Sequence, residues 1–317
     1  MGLIKKWVAS TLILTFLVII AGGVVRTTHS GMGCPDWPRC FGQWIPPTNV
    51  SELPADFEKY LQVQDIDHTF NAYHTWIEYL NRLAGVMLGL FAVIQFWLLF
   101  RKRKEKKTAY SLASAFLAGV IITGLVGALV VKLNLADLSV SLHLFFALAL
   151  IQIQLALYMS LTGSLFQKTA GIQKRKALFI LLVIILIQFI LGTSVRIYID
   201  HVSTALHFEQ REAWLDSLPL AFLIHRTFSW FVLLSVIYTL WYCRKLVTLK
   251  VALQKLSGIV LLSMTTGVVL YYADMPAIAQ PIHLFLATLA VTQTMFIILN
   301  TKNKSDMPNH VAADSLK

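Results

Sequence analysis

Apolar residues gather into eight long stretches, near Trp7–Val25, Thr75–Phe100, Tyr110–Val131, Val140–Leu161, Leu178–Val195, Leu218–Tyr242, Leu256–Tyr272 and Ile282–Asn300. Each is close to the ~20 residues that a helix needs to cross a ~30 Å hydrocarbon core. No strand-like alternation runs through them, which argues against a transmembrane barrel. The pattern predicts an all-α membrane protein with eight transmembrane helices. Lys5 and Lys6 precede the first stretch, as they would in a signal peptide. The apolar run is too long for a usual signal h-region, and its end recurs later in the chain, so it is read as a retained helix.

Composition agrees. The 317 residues are 57% hydrophobic and only 14% charged, whereas a soluble domain is about a quarter charged. The net charge of +11 suggests nucleic acid until the basic residues are placed. With eight spans, Arg26, Arg39, Lys59, Lys132, Arg196 and Arg211 fall on one side, and Arg82 and Arg226 fall inside spans. All the others fall on the opposite side, including the run Arg101-Lys102-Arg103-Lys104-Glu105-Lys106-Lys107. This is the positive-inside pattern with both termini cytoplasmic, and it explains the charge without a nucleic-acid partner. Two sizeable loops, near Arg26–His74 and Arg196–Ser217, lie on the outer side.

The chain repeats itself. Ser141-Leu142-His143-Leu144-Phe145-Phe146-Ala147 matches Pro281-Ile282-His283-Leu284-Phe285-Leu286-Ala287, and Gly127 pairs with Gly267 at the same offset of 140. Ala21-Gly22-Gly23-Val24-Val25-Arg26 echoes Leu191-Gly192-Thr193-Ser194-Val195-Arg196, and Asn81-Arg82 parallels His225-Arg226. Four spans per half give both halves one orientation. The expected architecture is therefore two pseudo-symmetric four-helix bundles, residues 1–165 and 166–317.

Ionisable residues inside a membrane are costly and by default suggest function. His143, His225 and His283 lie within spans, the first and last at equivalent positions of the repeat. Two histidines on facing helices of one bundle suit a six-coordinate haem. A bare metal would want three or four ligands with carboxylates or thiolates among them, and the spans lack such a cluster. The halves differ: where the second has His225 and Phe222, the first has Asn81 and Glu78. Glu78 is a candidate for proton chemistry or the partner of Arg82 at i, i+4, and the two roles are compatible. His74 could replace the missing ligand only with a higher-lying haem or an unwound helix start. His68, His201 and His207 read as solvated loop residues.

On the outer side, Cys34 and Cys40 flank two prolines and can close a small loop. A structural clip and an exposed, readily reduced redox pair both remain open. Cys243 reads as an unpaired thiol.

Together these residues resemble the heme A synthases of the respiratory chain. The resemblance covers nearly the whole chain. It rests on Gly22-Gly23-Val24-Val25-Arg26, the loop Ser30-Gly31-Met32-Gly33-Cys34-Pro35-Asp36-Trp37-Pro38-Arg39-Cys40-Phe41-Gly42, Glu78-Tyr79-Leu80-Asn81-Arg82, His143, His225-Arg226 and His283. It implies oxidation of the C8 methyl of haem O to the formyl group of haem A. It also implies a haem b held by His225 and His283 in the second half, and a first half taking haem O with His143 as an iron ligand and Glu78 as the essential glutamate. The Cys34–Cys40 pair would be a disulfide. The family's commoner pattern has histidine where this chain has Asn81, and this chain lacks the second cysteine pair that some members carry.

Arg26, Arg82, Arg196 and Arg226 are candidate partners for haem propionates, because arginine binds carboxylates bidentately. A haem O synthase, an electron donor and membrane lipid are the expected partners. The main alternative is a di-haem b cytochrome that only transfers electrons. A transporter would show paired helix breaks at the midplane, and a haem farnesylating enzyme an aspartate-rich diphosphate motif. Neither feature is evident.

Overall fold

The computed structural model describes residues 2–61, 70–163 and 172–301. Among them the regular elements are helical: α1 (Gly2–Thr27), the single turn α2 (Glu58–Leu61), α3 (Ala72–Phe100), α4 (Lys107–Lys132), α5 (Asp137–Thr162), α6 (Ile172–Ala205), α7 (Leu220–Tyr242), α8 (Val247–Tyr272) and α9 (Ala279–Leu299). All but α2 are long and apolar enough to cross a membrane, giving the eight predicted spans. His68 and His310 lie outside the described residues.

Sequence and structure differ most at two helix ends. Helix α6 continues past Val195 to Ala205, and α8 already begins at Val247. Hydropathy ends at charged residues, but the helical backbone does not. Arg196 pairs with Asp200 one turn on, Nη1 to Oδ2 at 3.5 Å, and Lys250 and Lys255 are exposed. The Arg196–Ser217 segment is thus partly helix. On this extension His201 stays exposed, as read from the sequence, but it stands on a helix and its Nε2 lies 3.0 Å from Asp137 Oδ2 at the start of α5.

Contacts group the chain into two compact units. One comprises Met1–Leu161, Arg196–Leu218 and Thr266–Phe285; the other comprises Thr162–Val195, Pro219–Thr265 and Leu286–Lys317. The dividing points fall at the last residue of α5, inside α6, α8 and α9, and between Leu218 and Pro219.

In the first unit α3 packs against both α1 and α4. Leu88, Ala92, Phe116 and Leu150 form one buried cluster. Val8, Leu99, Ala109, Ala113, Leu157 and Leu161 form another near the far ends of these helices. Between apolar helices a polar pair is conspicuous. Gln95 and Gln154, 1% and 0% exposed, exchange amide hydrogen bonds of 2.9 and 2.8 Å, and Gln154 Nε2 also donates to the Val8 carbonyl at 2.9 Å. One amide pair thus ties α1, α3 and α5 together and satisfies its own polar atoms, as a lipid-filled setting requires.

The cysteine segment caps the α3 end of this unit with a small core of its own. Cys34, Cys40 and Phe41 are buried beneath Leu53, Phe57, Tyr60, Phe70 and Tyr79. This end is called the loop end below.

Candidate functional site

Helix α3 begins cleanly, because the Asn71 side chain accepts from the backbone N–H groups of Tyr73 and His74. The cysteine segment lies directly on its first two turns. A Cβ on Gly33 would stand 2.3 Å from the His74 carbonyl oxygen and 2.7 Å from the Thr75 nitrogen, so only glycine permits this approach. Thr75 Oγ1 donates to the Gly33 carbonyl at 2.8 Å, and the Tyr79 hydroxyl donates to the Trp44 carbonyl at 2.8 Å.

Glu78 and Arg82 face this segment. Glu78 is 4% exposed. Its Oε2 accepts the Cys34 N–H at 2.8 Å, and its Oε1 accepts Arg82 Nε at 3.0 Å and Nη2 at 2.5 Å. Arg82 Nη2 also donates to the Cys34 carbonyl at 2.7 Å, and Nη1 donates to those of Asp36 at 2.6 Å and Arg39 at 3.0 Å. The five N–H groups of a guanidinium are all used. The i, i+4 ion pair read from the sequence is present, and its arginine is also the peg around which the loop is wound.

Cys34 and Cys40 are joined as a disulfide. Both are 0% exposed, which fits the structural clip and not the exposed, readily reduced pair: Phe41 and its neighbours cover the bond. Cys243 is unpaired and buried, and burial pushes its thiol pKa up.

The arginines divide. Arg82 is saturated, as described. Arg26 is also engaged, with Nε and Nη2 on Asp200 Oδ1 at 2.8 and 2.6 Å and Nη1 on Gln280 Oε1 at 2.7 Å. Arg82 has no N–H to spare for a propionate without giving up a bond it makes here, whereas Arg26 keeps one on each terminal nitrogen but is already charge-paired with Asp200. Arg196 has its Nε buried without a hydrogen-bond partner, and Arg226 is exposed beside the Phe222 ring. These two fit the propionate role better.

Each membrane histidine rests on a glycine of the preceding long helix. A Cβ at Gly127, Gly192 or Gly267 would come within 3.1, 3.2 and 3.4 Å of the rings of His143, His225 and His283 respectively. Gly22, the repeat counterpart of Gly192, has no atom within 4 Å of such a Cβ. The first half thus has both a shorter side chain, Asn81, and open space beside the matching glycine. His283 Nδ1 is hydrogen-bonded to the Thr266 hydroxyl at 2.9 Å, and Gln188 Nε2 donates to the His225 backbone carbonyl at 3.1 Å. The His143 ring lies by the Thr123 carbonyl, but its Nδ1 makes no well-formed hydrogen bond.

Buried polar atoms test whether haem fits. Trp76 Nε1, Asn81 Oδ1, Ser141 Oγ and His143 Nδ1 are buried and unpartnered. All belong to the loop-end turns of α3 and α5. A buried unpaired polar group costs ~1–3 kcal/mol, so a molecule with polar groups of its own would be stabilised beside the unpartnered His143 Nδ1 and Asn81 Oδ1. With three imidazoles seated on glycines, the donor set suits a haem, whose macrocycle supplies the other iron ligands. Among the described residues, no three His, Cys, Asp or Glu converge on a bare-metal site.

Taking the Gln95–Gln154 pair as a common level and 1.5 Å per residue, His143 lies about 16 Å toward the loop end, Asn81 about 21 Å and His74 about 32 Å. His74 therefore sits far above the His143 level, in an intact capped turn beside Tyr73. No role for His29 is legible in its sequence surroundings. Its ring stacks on Phe208 at 3.9 Å and meets Trp214 edge-on, and its Nε2 is buried without a hydrogen-bond partner. Burial first, then Arg211, Arg26 and His74, lower its pKa to about 4, with Asp200 opposing.

The Heme A synthase of Shewanella oneidensis is 32% identical over 149 residues, 47% of this chain and 43% of that protein. That of Geobacillus thermodenitrificans is 32% identical over 158 residues, 49% of this chain and 42% of its own. That of Bartonella quintana is 33% identical over 111 residues, 32% of this chain and 31% of its own. The aligned stretches thus span less than half the length of these curated relatives. Residues 5–295, nearly the whole chain, match the family described as Cytochrome oxidase assembly protein, and the chain belongs to that family.

Proposed function

We propose that the protein is a haem A synthase, which oxidises the C8 methyl of haem O to a formyl group within the membrane. Two successive hydroxylations give an alcohol and then a geminal diol, which loses water to the aldehyde. Each adds one oxygen atom, either from dioxygen with two electrons and two protons supplied and water released, or from water with two electrons and two protons removed. Haem b, held by His225 and His283, supplies when bound the one-electron chemistry that side chains lack. The first half, residues 1–165, takes haem O with its iron on His143. The second half, residues 166–317, carries haem b. In this reading the halves are two pseudo-symmetric four-helix bundles of a multi-pass cell-membrane protein. The termini are cytoplasmic, and the sites lie toward the outer side. A haem O synthase supplies the substrate, and an electron donor is the other expected partner.

The observation that carries the reading is the repeated seating of His143, His225 and His283 on Gly127, Gly192 and Gly267. The one break in the repeat is in the first half, where Asn81 stands in place of a histidine, as expected of a site that exchanges its ligand. His143 binds the substrate iron, and Asn81 hydrogen-bonds to whatever occupies the other face. Glu78 moves protons at its carboxylate oxygens, handing the Cys34 N–H and Arg82 a changing partner. Arg196 and Arg226 hold propionates.

The Glu78–Arg82 pair favours a second reading, a di-haem b cytochrome in which Glu78 only anchors the loop. Mass spectrometry of haems extracted from the purified protein separates the two. Haem O or haem A supports the synthase, and haem B alone supports the electron carrier. Glu78→Gln keeps the shape and should retain haem b while accumulating haem O. Normal haem A in that variant would leave Glu78 only its structural role.

A further inference from the structure

We infer that Thr266 is a positioning residue for the His283 imidazole and sets the potential of the iron bound there. The inference rests on the proposed role of His283 as an iron ligand. The Thr266 hydroxyl lies 2.9 Å from His283 Nδ1. The adjacent Gly267 lets the ring come within 3.4 Å of where a Cβ would be. The pair Thr266-Gly267 therefore offers the ring a flat seat and one polar contact at its rear nitrogen.

With Nδ1 taken, Nε2 is the nitrogen for iron. Iron on Nε2 fixes the remaining proton on Nδ1, so the hydroxyl must accept it. A ligating histidine that donates its second N–H becomes more basic and is held in one orientation. A more basic ligand stabilises ferric over ferrous iron and lowers the reduction potential.

The repeat supplies an internal comparison. The counterpart of Thr266-Gly267 at offset 140 is Val126-Gly127. Gly127 seats His143 in the same way, with a would-be Cβ at 3.1 Å, but valine offers no hydroxyl. The two histidines thus share a seat and differ in what holds Nδ1. One helix position distinguishes a permanently held, electron-storing haem from a substrate haem that must leave.

The test is a redox titration of the low-spin haem in purified holoprotein, followed by its visible absorption, with its electron paramagnetic resonance g-values recorded. Thr266→Val, nearly isosteric and without the hydroxyl, should raise the midpoint potential and shift the largest g-value. Thr266→Ser should match wild type. Loss of haem from the valine variant with retention in the serine variant also supports the inference. An unchanged midpoint in a haem-replete valine variant overturns it. So does an equal shift, or haem loss, in both variants, because the methyl group and not the hydroxyl would then matter. His283→Ala separates the two layers. If the low-spin signal survives there, the ligand assignment itself has failed; if it disappears, the Thr266 variants judge this inference alone.

Discussion

Replacing Arg82 with glutamine removes the peg on which the cysteine loop is wound. Arg82 and Glu78 side chains are 14% and 6% exposed, so the change strands a buried carboxylate, at a cost of ~3–5 kcal/mol. The carbonyls of Cys34, Asp36 and Arg39 lose their donor as well. The loop is held by this site and its own small core, so the cost falls on local opening, not on the helices. The disulfide is fully buried, so a dithiol reaches it only when the loop opens, and its reduction rate at fixed dithiol reports that opening. At 1.4 kcal/mol per tenfold, 3 kcal/mol predicts ~10²-fold faster reduction in Arg82→Gln, measured by thiol labelling in a Cys243→Ser background. Adding Glu78→Gln removes the stranded charge, so the double variant should reduce several-fold more slowly than Arg82→Gln alone, a coupling of ~1–3 kcal/mol. A wild-type reduction rate in Arg82→Gln, or strictly additive effects in the cycle, would refute the clamp.

Asn81→His should supply the missing imidazole and convert the substrate iron to a six-coordinate, low-spin form without loss of folding; an unchanged spectrum in a haem-loaded variant contradicts the placement of Asn81. Gly33→Ala drives a Cβ into the α3 backbone, where overpacking costs ~1–3 kcal/mol, and should speed dithiol reduction of Cys34–Cys40 while the helix content stays constant by circular dichroism. His29 gives a pH dependence. Its folded pKa of about 4 lies below the ordinary 6.5, so the opened state binds the proton more readily. Stability is full above pH 6.5 and falls as pH drops toward 4, by ~1–2 kcal/mol once solvent screening is discounted. The fall in Tm over that window should shrink in His29→Asn, a residue that tolerates the positive φ there, and an identical pH profile would exclude His29 as the source.

Hydropathy located the eight long helices because lipid-crossing segments must be apolar along their whole length. It misplaced the ends of α6 and α8 because charged residues such as Asp200 and Lys250 stay helical in water. The Glu78–Arg82 pair was legible from its i, i+4 spacing. The rest of Arg82's work was not, because its partners are backbone carbonyls, which leave no trace in a sequence. Burial of the disulfide depends on Phe41, Leu53 and Phe57 folding over it, contacts that hydropathy does not register. His29 was silent because its partners, Phe208 and Trp214, come from a segment far along the chain. Thr266 carried a faint signal in its difference from Val126, visible only once the repeat was set beside the ring it touches.

The reciprocal amide pair of Gln95 and Gln154 acts as a gauge block. Sliding α3 against α5 by one helical turn, 5.4 Å, would separate both amides in a medium with no water to replace the lost bonds. The helices can tilt or breathe about this point far more readily than they can slip past each other. Glu78 lies seventeen residues from Gln95, and His143 eleven from Gln154, toward the same end. At 1.5 Å per residue this leaves Glu78 about 9 Å nearer the loop end than His143, a vertical offset that thinning or thickening of the surrounding lipid cannot retune.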